Sequence, residues 1–428
     1  MVPMVFLAAL RIAVMSDLQA YAQKEDNGMR NLERALDVFA AQKVDVVVND
    51  GDIGDNAVDV SAVAYYKERC DERLGAVPHV ACYGNHELNI DLPESLKAVR
   101  TPPAVRADFN RVFGFDPTAK LVRQQIRGYD FISYSFDSDA GYTAAEMGEL
   151  KVALDAAVAR DAQKPIFVVT HYHPEGTVNA SEPKGGELRK LLNDYPQVVS
   201  ISGHSHYPLQ APGTIWQGEF TAIESASLCY GAVRAVPQSV NQISRLLPYG
   251  HDAVYCQMLE VCDDEIVLRR YTVRDGQEIE PDNPRRWTIP YDPKKPKYSP
   301  AAQAALEVAP EFGGDPEPTV WYDYGFTYLL FLPVKDKERV FRYEIAVAER
   351  GGASKTFSFL SDFYRPSGNR ANRVCVRCPT GTFEYGKTYD CTVTPVGFYG
   401  KRGCPCKWTT KTEILFPFRD IRQNVMQE

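Results

Sequence analysis

Polar side chains of the types that bind metals occur in five short clusters in this sequence, each following an apolar run. Five of the seven histidines lie in these clusters. A single aspartate or histidine after a strand is more often a cap or a turn residue. Five such clusters in one chain instead predict a shared site for divalent cations. The candidate residues are Asp17, Gln19, Asp52, Asn85, His86, His171, His173, His204 and His206.

The chemistry of two adjacent metal ions accounts for this mixture of side chains. Two divalent cations about 3.5–4 Å apart need a shared ligand, and a carboxylate bridges them while it reduces their repulsion. Imidazole and amide groups complete the coordination without neutralising the pair, so that a bridging water is deprotonated near neutral pH. Asp52 is the candidate for this bridging carboxylate.

The elements that must position these residues follow from the apolar patterns. Residues 44–48 form a β-branched run that ends in Gly51-Asp52, which is typical of a buried parallel strand with a ligand at its carboxyl end. The alternation of strands and helices predicts an α/β fold, with the clusters together at one sheet edge. Other strands are predicted at 10–14, 78–83, 128–137, 165–170 and 198–202, and helices at 31–42, 60–74, 144–162 and 186–193.

The motifs, in their order along the chain, resemble those of the calcineurin-like metallophosphoesterases over roughly residues 10–290. The motifs are Asp17-x-Gln19, Gly51-Asp52, Gly84-Asn85-His86-Glu87, His171 and Gly203-His204-x-His206. The resemblance implies a four-layer α/β/β/α sandwich that holds two metal ions. It also implies hydrolysis of a phosphomonoester, a phosphodiester or a nucleoside diphosphate compound, through attack by a metal-bridging hydroxide.

The resemblance assigns a role to each motif residue. Asp17 and His206 would bind the first metal ion, and Asp52 would bridge the two ions. Asn85, His171 and His204 would bind the second ion. His86 would not bind metal; it would face the scissile phosphate and protonate the leaving oxygen or stabilise charge there.

Gln19 departs from the family pattern, because most members carry a histidine at this position. An amide oxygen is a harder and usually weaker donor than imidazole, so we expect Gln19 to favour Mn²⁺ over Fe or Zn²⁺ at the first site. The same Asp-x-Gln motif is found in the manganese-dependent ADP-ribose/CDP-alcohol diphosphatases, which this sequence resembles there. The resemblance raises nucleoside diphosphate compounds as substrates.

Four further residues near the motifs have more than one interpretation. His173 either contacts substrate or is a neutral, solvent-facing side chain, and the second interpretation is favoured. Asp50 and Asp55 support the ligands or cap a helix rather than bind metal themselves. Glu87 either orients a neighbouring ligand or begins a helix. Residues 88–130 are interpreted as a loop-rich insertion that covers the site.

A boundary between two domains is predicted where proline becomes frequent. We expect the metallophosphoesterase domain at residues 1–295, a proline-rich linker at 296–316 and a small all-β sandwich of six short strands at 317–428. The segment 385–393 resembles a late strand of a fibronectin type III domain, with Tyr389 as its corner tyrosine. The cysteines of this region are expected to be ordinary thiols, with structural zinc as the alternative: Cys375, Cys378, Cys391, Cys404 and Cys406.

Charge and hydropathy limit the partners of the chain. Residues 310–428 carry 17 basic and 14 acidic side chains, which leaves a net charge of −11 for residues 1–309. This acidic part argues against long nucleic acid and favours a small phosphorylated substrate, nucleotides included. No apolar run reaches the length of a membrane span. The irregularly spaced cysteines favour a reduced compartment, so a cytoplasmic location is expected, or a periplasmic or secreted one if a leader precedes this sequence.

Two other functions remain open on the same fold. The chain could be a binding or scaffold protein without turnover, or a protein Ser/Thr phosphatase. Retention of His86 and of every predicted ligand apart from the Gln19 position favours an enzyme over a scaffold.

Overall fold

The chain divides into two compact units in the computed structural model. The first consists of residues up to Leu209 together with Gly213–Ala232 and His251–Pro300, and the second lies mainly after Ala301. The structure describes residues 9–20, 26–55, 60–88, 101–138, 141–233, 250–279, 287–291, 296–323, 326–337, 339–350, 352–365, 370 and 372–412.

The first unit contains two six-stranded sheets. Its first sheet is built from β1 (Leu10–Met15), β2 (Val46–Asn49), β3 (His79–Ala81), β10 (Tyr255–Val261), β11 (Glu265–Thr272) and β12 (Thr288–Pro290), in the order β12-β11-β10-β1-β2-β3. The strands β1, β2 and β3 run parallel, and β10 pairs with β1 in the antiparallel direction. The three parallel strands therefore end at the same edge.

The second sheet brings four parallel strands together. It is built from β4 (Leu121–Ile126), β5 (Tyr129–Tyr134), β6 (Ile166–Thr170), β7 (Val198–Ser202), β8 (Ile215–Gln217) and β9 (Thr221–Glu224), in the order β4-β5-β6-β7-β9-β8. The strands β5, β6, β7 and β9 are parallel, whereas β4 and β8 are antiparallel edge strands. The predicted ligands thus follow strands of two sheets, so the expectation of a single sheet edge is wrong.

Alternating side chains join the sheets to each other and to the helices. Ile12 and Val14 of β1 pack with Val169 of β6 in the core between the sheets, whereas Ala13 packs with Leu36 in the core that contains the helices. This is the predicted α/β/β/α sandwich. The helices are α1 (Asn27–Gln42), α2 (Ser61–Leu74), α3 (Pro102–Phe113), α4 (Ala144–Arg160) and α5 (Gly186–Leu192).

The predicted loop-rich insertion at 88–130 is largely regular in its described part. Residues 101–126 form α3 and β4, and the paired prolines that suggested a loop stand at the first helical positions, where proline needs no hydrogen-bond partner. Phe109 of α3 packs edge-on against Tyr83 with the ring centroids 5.7 Å apart. Residues 89–100 lie outside the described residues.

The described residues from Thr319 onward form an all-β sandwich. A three-stranded sheet in the order β13-β14-β17 and a four-stranded sheet in the order β16-β15-β18-β19 share one apolar core. The region predicted as one strand from residue 319 to 332 is a hairpin, which raises the strand number above the expected six. The strands are β13 (Thr319–Asp323), β14 (Phe326–Phe331), β15 (Arg342–Glu349), β16 (Ser354–Leu360), β17 (Val374–Arg377), β18 (Thr388–Val396) and β19 (Cys406–Lys411).

Two further observations bear on the predicted linker and on the cysteines. A short helix, α6 (Pro300–Leu306), lies within residues 296–316. All ten cysteines are free thiols, and among the described residues no group of cysteines is arranged to hold a metal ion. Within the same residues we find no helix with the length and hydropathy needed to cross a bilayer.

Candidate metal centre

The carboxyl ends of five strands bring the predicted ligands into one region. Asp17, Asp52 and Asn85 follow β1, β2 and β3 of the first sheet, whereas His171 and His204 follow β6 and β7 of the second. Backbone hydrogen bonds hold neighbouring ends together, since Asp17 N donates to Gly51 O and Gln19 N donates to Asp52 O. The site therefore forms where the edges of the two sheets meet.

One group of ligands is already spaced as if around a cation. The donor atoms of Asp52, His171 and His204 lie within 4.8 Å of one another. His171 Nε2 is 3.2 Å from Asp52 Oδ2 and 3.0 Å from Asn85 Oδ1. Two donors bound to one cation at about 2.1 Å and at a right angle lie about 3 Å apart. This group is the set that the resemblance assigns to the second metal ion, with Asp52 included.

The second group contains Asp17, His206 and Gln19. Asp17 Oδ1 lies 3.0 Å from His206 Nε2, and Gln19 Nε2 lies 3.4 Å from the same nitrogen. A half-turn of the amide exchanges its nitrogen and oxygen and would bring an oxygen donor to this position. Among the described residues, the only trio of carboxylate, imidazole or thiol donors close enough to share a cation is the first group. The second group departs from that pattern because Gln19 supplies an amide.

Backbone carbonyls orient the imidazole rings. The Nδ1 atoms of His171 and His206 lie 2.9 and 3.1 Å from the carbonyl oxygens of Asp50 and Tyr230. A proton on Nδ1 that is donated to a carbonyl leaves the Nε2 lone pair free to bind a cation. The donor set and its orientation therefore suit divalent metal ions.

His86 lies at the rim of the cluster. Its backbone N–H donates to Asp52 Oδ1 at 2.9 Å, and its Nδ1 is 2.9 Å from Asp55 O. The ring remains 28% exposed, whereas His171 is fully buried. Burial alone would lower the pKa of His86, but the carboxylates of Asp52 and Asp55 raise this pKa to about 10. This raised pKa and the partial exposure are compatible with the role of proton donor that the resemblance predicts for His86.

The two predicted acidic ligands, Asp17 and Asp52, have lowered pKa values despite their burial. Burial opposes ionisation of Asp52, yet His171 and His86 hold its pKa well below the usual range. Asp50 and Glu87 behave differently, because cationic neighbours compensate less for their burial. Burial raises the pKa of each to about 7, with a further contribution from the charge of Asp17 for Asp50 and of Asp52 for Glu87.

Backbone strain is concentrated at the predicted ligands. Five of them adopt left-handed backbone angles, which cost non-glycine residues about 1–3 kcal/mol each. Strain of this kind persists only where the surroundings impose it, and it is characteristic of functional sites. The φ angles are 51° for Asp17, 44° for Gln19, 53° for Asp52, 64° for His204 and 56° for His206.

Glycines beside the ligands allow the strand ends to approach each other. A Cβ atom at Gly84 would overlap the Asp52 carboxylate, and one at Gly203 would overlap that of Asp17. Gly51 has a φ of 113°, and a Cβ there would lie 2.8 Å from His171 Nδ1. These three positions leave no room for a side chain.

Glu87 takes the first of its two predicted roles, because it orients a ligand loop. Its carboxylate accepts hydrogen bonds from Asp52 N at 2.9 Å, Gly84 N at 2.7 Å and Gly54 N at 2.8 Å. Asp50 and Asp55 also contact site histidines, through their carbonyl oxygens. Glu87 and Asp50 therefore hold predicted ligands in position, and Asp55 holds His86.

The favoured interpretation of His173 as a solvent-facing side chain is wrong. The residue is 2% exposed, and its Nε2 lies 2.7 Å from Glu224 Oε2. Sequence reasoning missed Glu224, which is the last residue of β9 and is fully buried. Glu224 lies beside the end of β7 because β9 is the neighbour of β7 in the sheet. This strand order could not be predicted from the sequence.

The fold and this cluster together define the class of the first unit. An α/β/β/α sandwich with carboxylate, amide and imidazole donors at its strand ends is a metal-dependent phosphoesterase fold. The sequence profile of the family described as calcineurin-like phosphoesterase matches residues 10–208. The match covers slightly less than half of the chain, and the family implies a dinuclear centre of divalent ions.

Solved structures that resemble the chain share little sequence with it. Purple acid phosphatase PPD1 from yellow lupin (Lupinus luteus) seeds is 14% identical, with 63% of this chain and 52% of that chain covered and a TM-score of 0.47. The protein TT1561 of Thermus thermophilus is 11% identical, with 66% and 99% covered and a TM-score of 0.34.

A third structure resembles a smaller part of the chain. The fn3 domain of the human collagen alpha-1(XX) chain is 15% identical, with 27% of this chain and 98% of that chain covered and a TM-score of 0.18. The chain spans about half the length of the lupin phosphatase. No curated protein sequence matches the chain.

Proposed function

We propose that the protein is a dinuclear metal-dependent phosphoesterase that acts on a small phosphorylated substrate. The observation that carries this proposal is the convergence of Asp52, Asn85, His171 and His204 at ligand spacing, with His86 beside them at the rim. A scaffold protein would have no need for a partly exposed imidazole held against a buried ligand carboxylate.

The residues have separate tasks in this proposal. Asn85, His171 and His204 would hold one cation, Asp17, Gln19 and His206 would hold the other, and Asp52 would contribute to both sites. When bound, the two cations would supply Lewis-acid charge for the phosphoryl oxygens and lower the pKa of a coordinated water. His86 donates a hydrogen bond or a proton from Nε2 to the departing oxygen, and Asp55 O holds the opposite ring nitrogen.

Mn²⁺ is the metal we propose, with Fe and Zn²⁺ as alternatives. The support is the oxygen-rich donor set, in which Gln19 and Asn85 contribute amides and Asp17 and Asp52 contribute carboxylates. Mn²⁺ binds hard oxygen donors more readily than Zn²⁺ does. The Asp-x-Gln motif also supports nucleoside diphosphate compounds as substrates.

We also propose that residues 317–428 form a fibronectin type III-like domain after the metallophosphoesterase domain at 1–295 and the linker at 296–316. The division into a three-stranded and a four-stranded sheet supports this assignment. Tyr389 lies near the start of β18, and its hydroxyl accepts a hydrogen bond from Glu384 N at 2.8 Å. This is the contact expected of a corner tyrosine.

Hydrolysis of an aryl phosphodiester by the full chain tests the proposed activity. We expect turnover that requires added Mn²⁺ and that falls by about 10²- to 10⁴-fold in His86→Ala, since this is the usual contribution of a positioned acid. Val152→Ala, which alters an exposed side chain on α4, is the control. Equal rates for wild type and His86→Ala would rule out the role of His86.

A substrate screen separates the remaining alternatives. Phosphomonoesters, cyclic nucleotides, nucleoside diphosphate compounds and phosphopeptides would be compared at fixed Mn²⁺. We expect the highest kcat/KM with a nucleoside diphosphate compound. Preference for phosphopeptides would identify a protein phosphatase, and the absence of turnover on every compound by metal-loaded protein would identify a scaffold.

A further inference from the structure

A buried contact between His173 and Glu224 lies near the candidate metal centre and includes no predicted metal ligand. Glu224 is fully buried, His173 is 2% exposed, and His173 Nε2 lies 2.7 Å from Glu224 Oε2. Burying a carboxylate is unfavourable unless partners compensate for its lost hydration. The other hydrogen bonds of Glu224 therefore indicate what the buried carboxylate does.

Glu224 also binds the segment that carries two ligand histidines. Ser205 Oγ donates to Glu224 Oε2 at 2.6 Å and accepts a hydrogen bond from Tyr207 N at 3.2 Å. Ser205 stands between His204 and His206, so one carboxylate fixes the turn from which both rings project. Each of these histidines belongs to a different group of donors.

The pair spans three neighbouring strand ends of the second sheet. β7 lies between β6 and β9, and Ser202 of β7 is in register with Glu224 of β9. His173, which follows β6, reaches across the end of β7 to Glu224. The contact therefore joins the segment that carries His171 to the segment that carries His204.

The backbone around His173 is packed tightly enough to transmit this constraint. A Cβ atom at Gly185 would overlap the carbonyl oxygen of His173, and Glu175 N donates to Gly185 O at 3.2 Å. Ala226 N donates to Glu224 Oε1 at 3.3 Å. A shift of His173 or Glu224 would therefore disturb these backbone contacts.

We propose that His173 and Glu224 are positioning residues that clamp the ligand-bearing ends of β6 and β7 through Ser205. They would hold His171, His204 and His206 at metal-binding spacing without contacting metal or substrate. This inference rests on the metal centre of the proposed function. It assigns to His173 a role other than substrate contact.

Mn²⁺ affinity of the full chain, measured by calorimetric titration, tests the clamp independently of activity. We expect Glu224→Leu and Ser205→Ala to weaken Mn²⁺ binding by about 10- to 100-fold, the usual effect of removing a group that orients ligands. Glu224→Gln keeps an oxygen acceptor for Ser205 and should bind Mn²⁺ with intermediate affinity. The visible spectrum of the Co²⁺-loaded protein should change in the same order, because it reports ligand geometry.

A matched control is provided by His79→Gln. His79 is a buried histidine near Asp71, outside the ligand segments, and its replacement should leave Mn²⁺ affinity unchanged. Wild-type affinity and an unaltered Co²⁺ spectrum in folded Glu224→Leu would overturn the clamp. If Glu224→Leu does not fold, wild-type Mn²⁺ affinity and an unaltered Co²⁺ spectrum in Ser205→Ala would overturn the clamp. Failure of the wild type to bind Mn²⁺ would instead refute the proposed function itself.

Discussion

At the residue scale, the Asp52 carboxylate connects most of the candidate site. Its Oδ1 accepts a hydrogen bond from His86 N, and its Oδ2 lies 3.2 Å from His171 Nε2. Its own backbone N–H donates to Glu87. One buried acid thus holds the proposed proton donor and a ligand in fixed positions, and a second acid fixes its backbone.

His79, which lies outside the candidate site, is predicted to make the stability of the folded protein depend on pH. Burial, with a further contribution from Lys67, lowers the pKa of this histidine to about 4. In the unfolded chain this histidine binds a proton below its ordinary pKa of about 6.5, whereas in the folded protein it stays neutral down to about pH 4. The contribution of the neutral buried histidine to stability is therefore fully present above about pH 6.5. This contribution, about 3 kcal/mol, is lost as the pH falls from 6.5 through 4.

Urea denaturation between pH 7 and pH 4 measures this effect. His79→Gln should be less stable than wild type at pH 7 and should lose less stability on acidification. Val152→Ala, which alters an exposed side chain that does not titrate, should show the wild-type pH dependence. An unchanged pH dependence in His79→Gln would contradict the assignment.

At the scale of elements, the site depends on turns that directly follow short strands. The turn Gly84-Asn85-His86-Glu87 contains a proposed ligand, the proposed proton donor and an acceptor for backbone N–H groups, and its glycine lies close to the Asp52 carboxylate. The turn is held in place because Glu87 returns to bind the N–H groups of Gly84 and Asp52.

We predict that Gly84→Ala disrupts metal binding more than folding. Its Cβ atom would overlap the Asp52 carboxylate, and overpacking of this kind costs about 1–3 kcal/mol. The displaced ligand should weaken Mn²⁺ binding by about tenfold or more. Gly148→Ala is the matched control, because it lies in α4 with open space around it and should stabilise the protein by about 0.5–1 kcal/mol.

Circular dichroism and calorimetric Mn²⁺ titration of the two variants provide the comparison. Wild-type Mn²⁺ affinity in Gly84→Ala would contradict the close approach of this glycine to Asp52.

Local pattern predicted the elements well where periodicity was strong. The run at 44–48 and the helical spacing at 31–42 appear as β2 and α1, shifted by a few residues at their ends. The prediction failed where one signal has two meanings. Pro102 and Pro103 favour a loop in the prediction but begin α3. The apolar pattern at 319–332 predicts one strand, although a turn divides it into β13 and β14.

The candidate site was predictable to the extent that its residues follow strands. Asp52, His171 and His204 each follow a predicted strand, and their donor atoms lie within 4.8 Å of one another, although the strands belong to two sheets. Glu224 and the burial of His173 were not predictable, because both depend on which strands are neighbours in the second sheet. Strand order is a long-range property that local periodicity does not encode.

At the scale of the whole molecule, every predicted ligand lies in the first compact unit. The second unit has its own apolar core between two sheets. Metal binding should therefore stabilise the two units unequally, because a ligand stabilises the structure to which it binds.

Hydrogen exchange measured by mass spectrometry, with Mn²⁺ and with a chelator, tests this expectation. Mn²⁺ at about 100 times its Kd should stabilise the first unit by about 2.7 kcal/mol and slow exchange in peptides around β2, β6 and β7. Peptides from 319 to 411 should exchange at the same rate in both conditions. Equal protection of these peptides by Mn²⁺ would contradict confinement of the metal centre to the first unit.

The most direct test of the central claim is the number of Mn²⁺ ions bound per chain in wild type, Asp52→Asn and Gln19→His. The account predicts two ions in wild type, weakened binding of both in Asp52→Asn because the carboxylate is shared, and a change mainly at one site in Gln19→His. Loss of only one ion in Asp52→Asn would contradict a bridging role, and a wild-type protein that binds no metal would contradict the account as a whole.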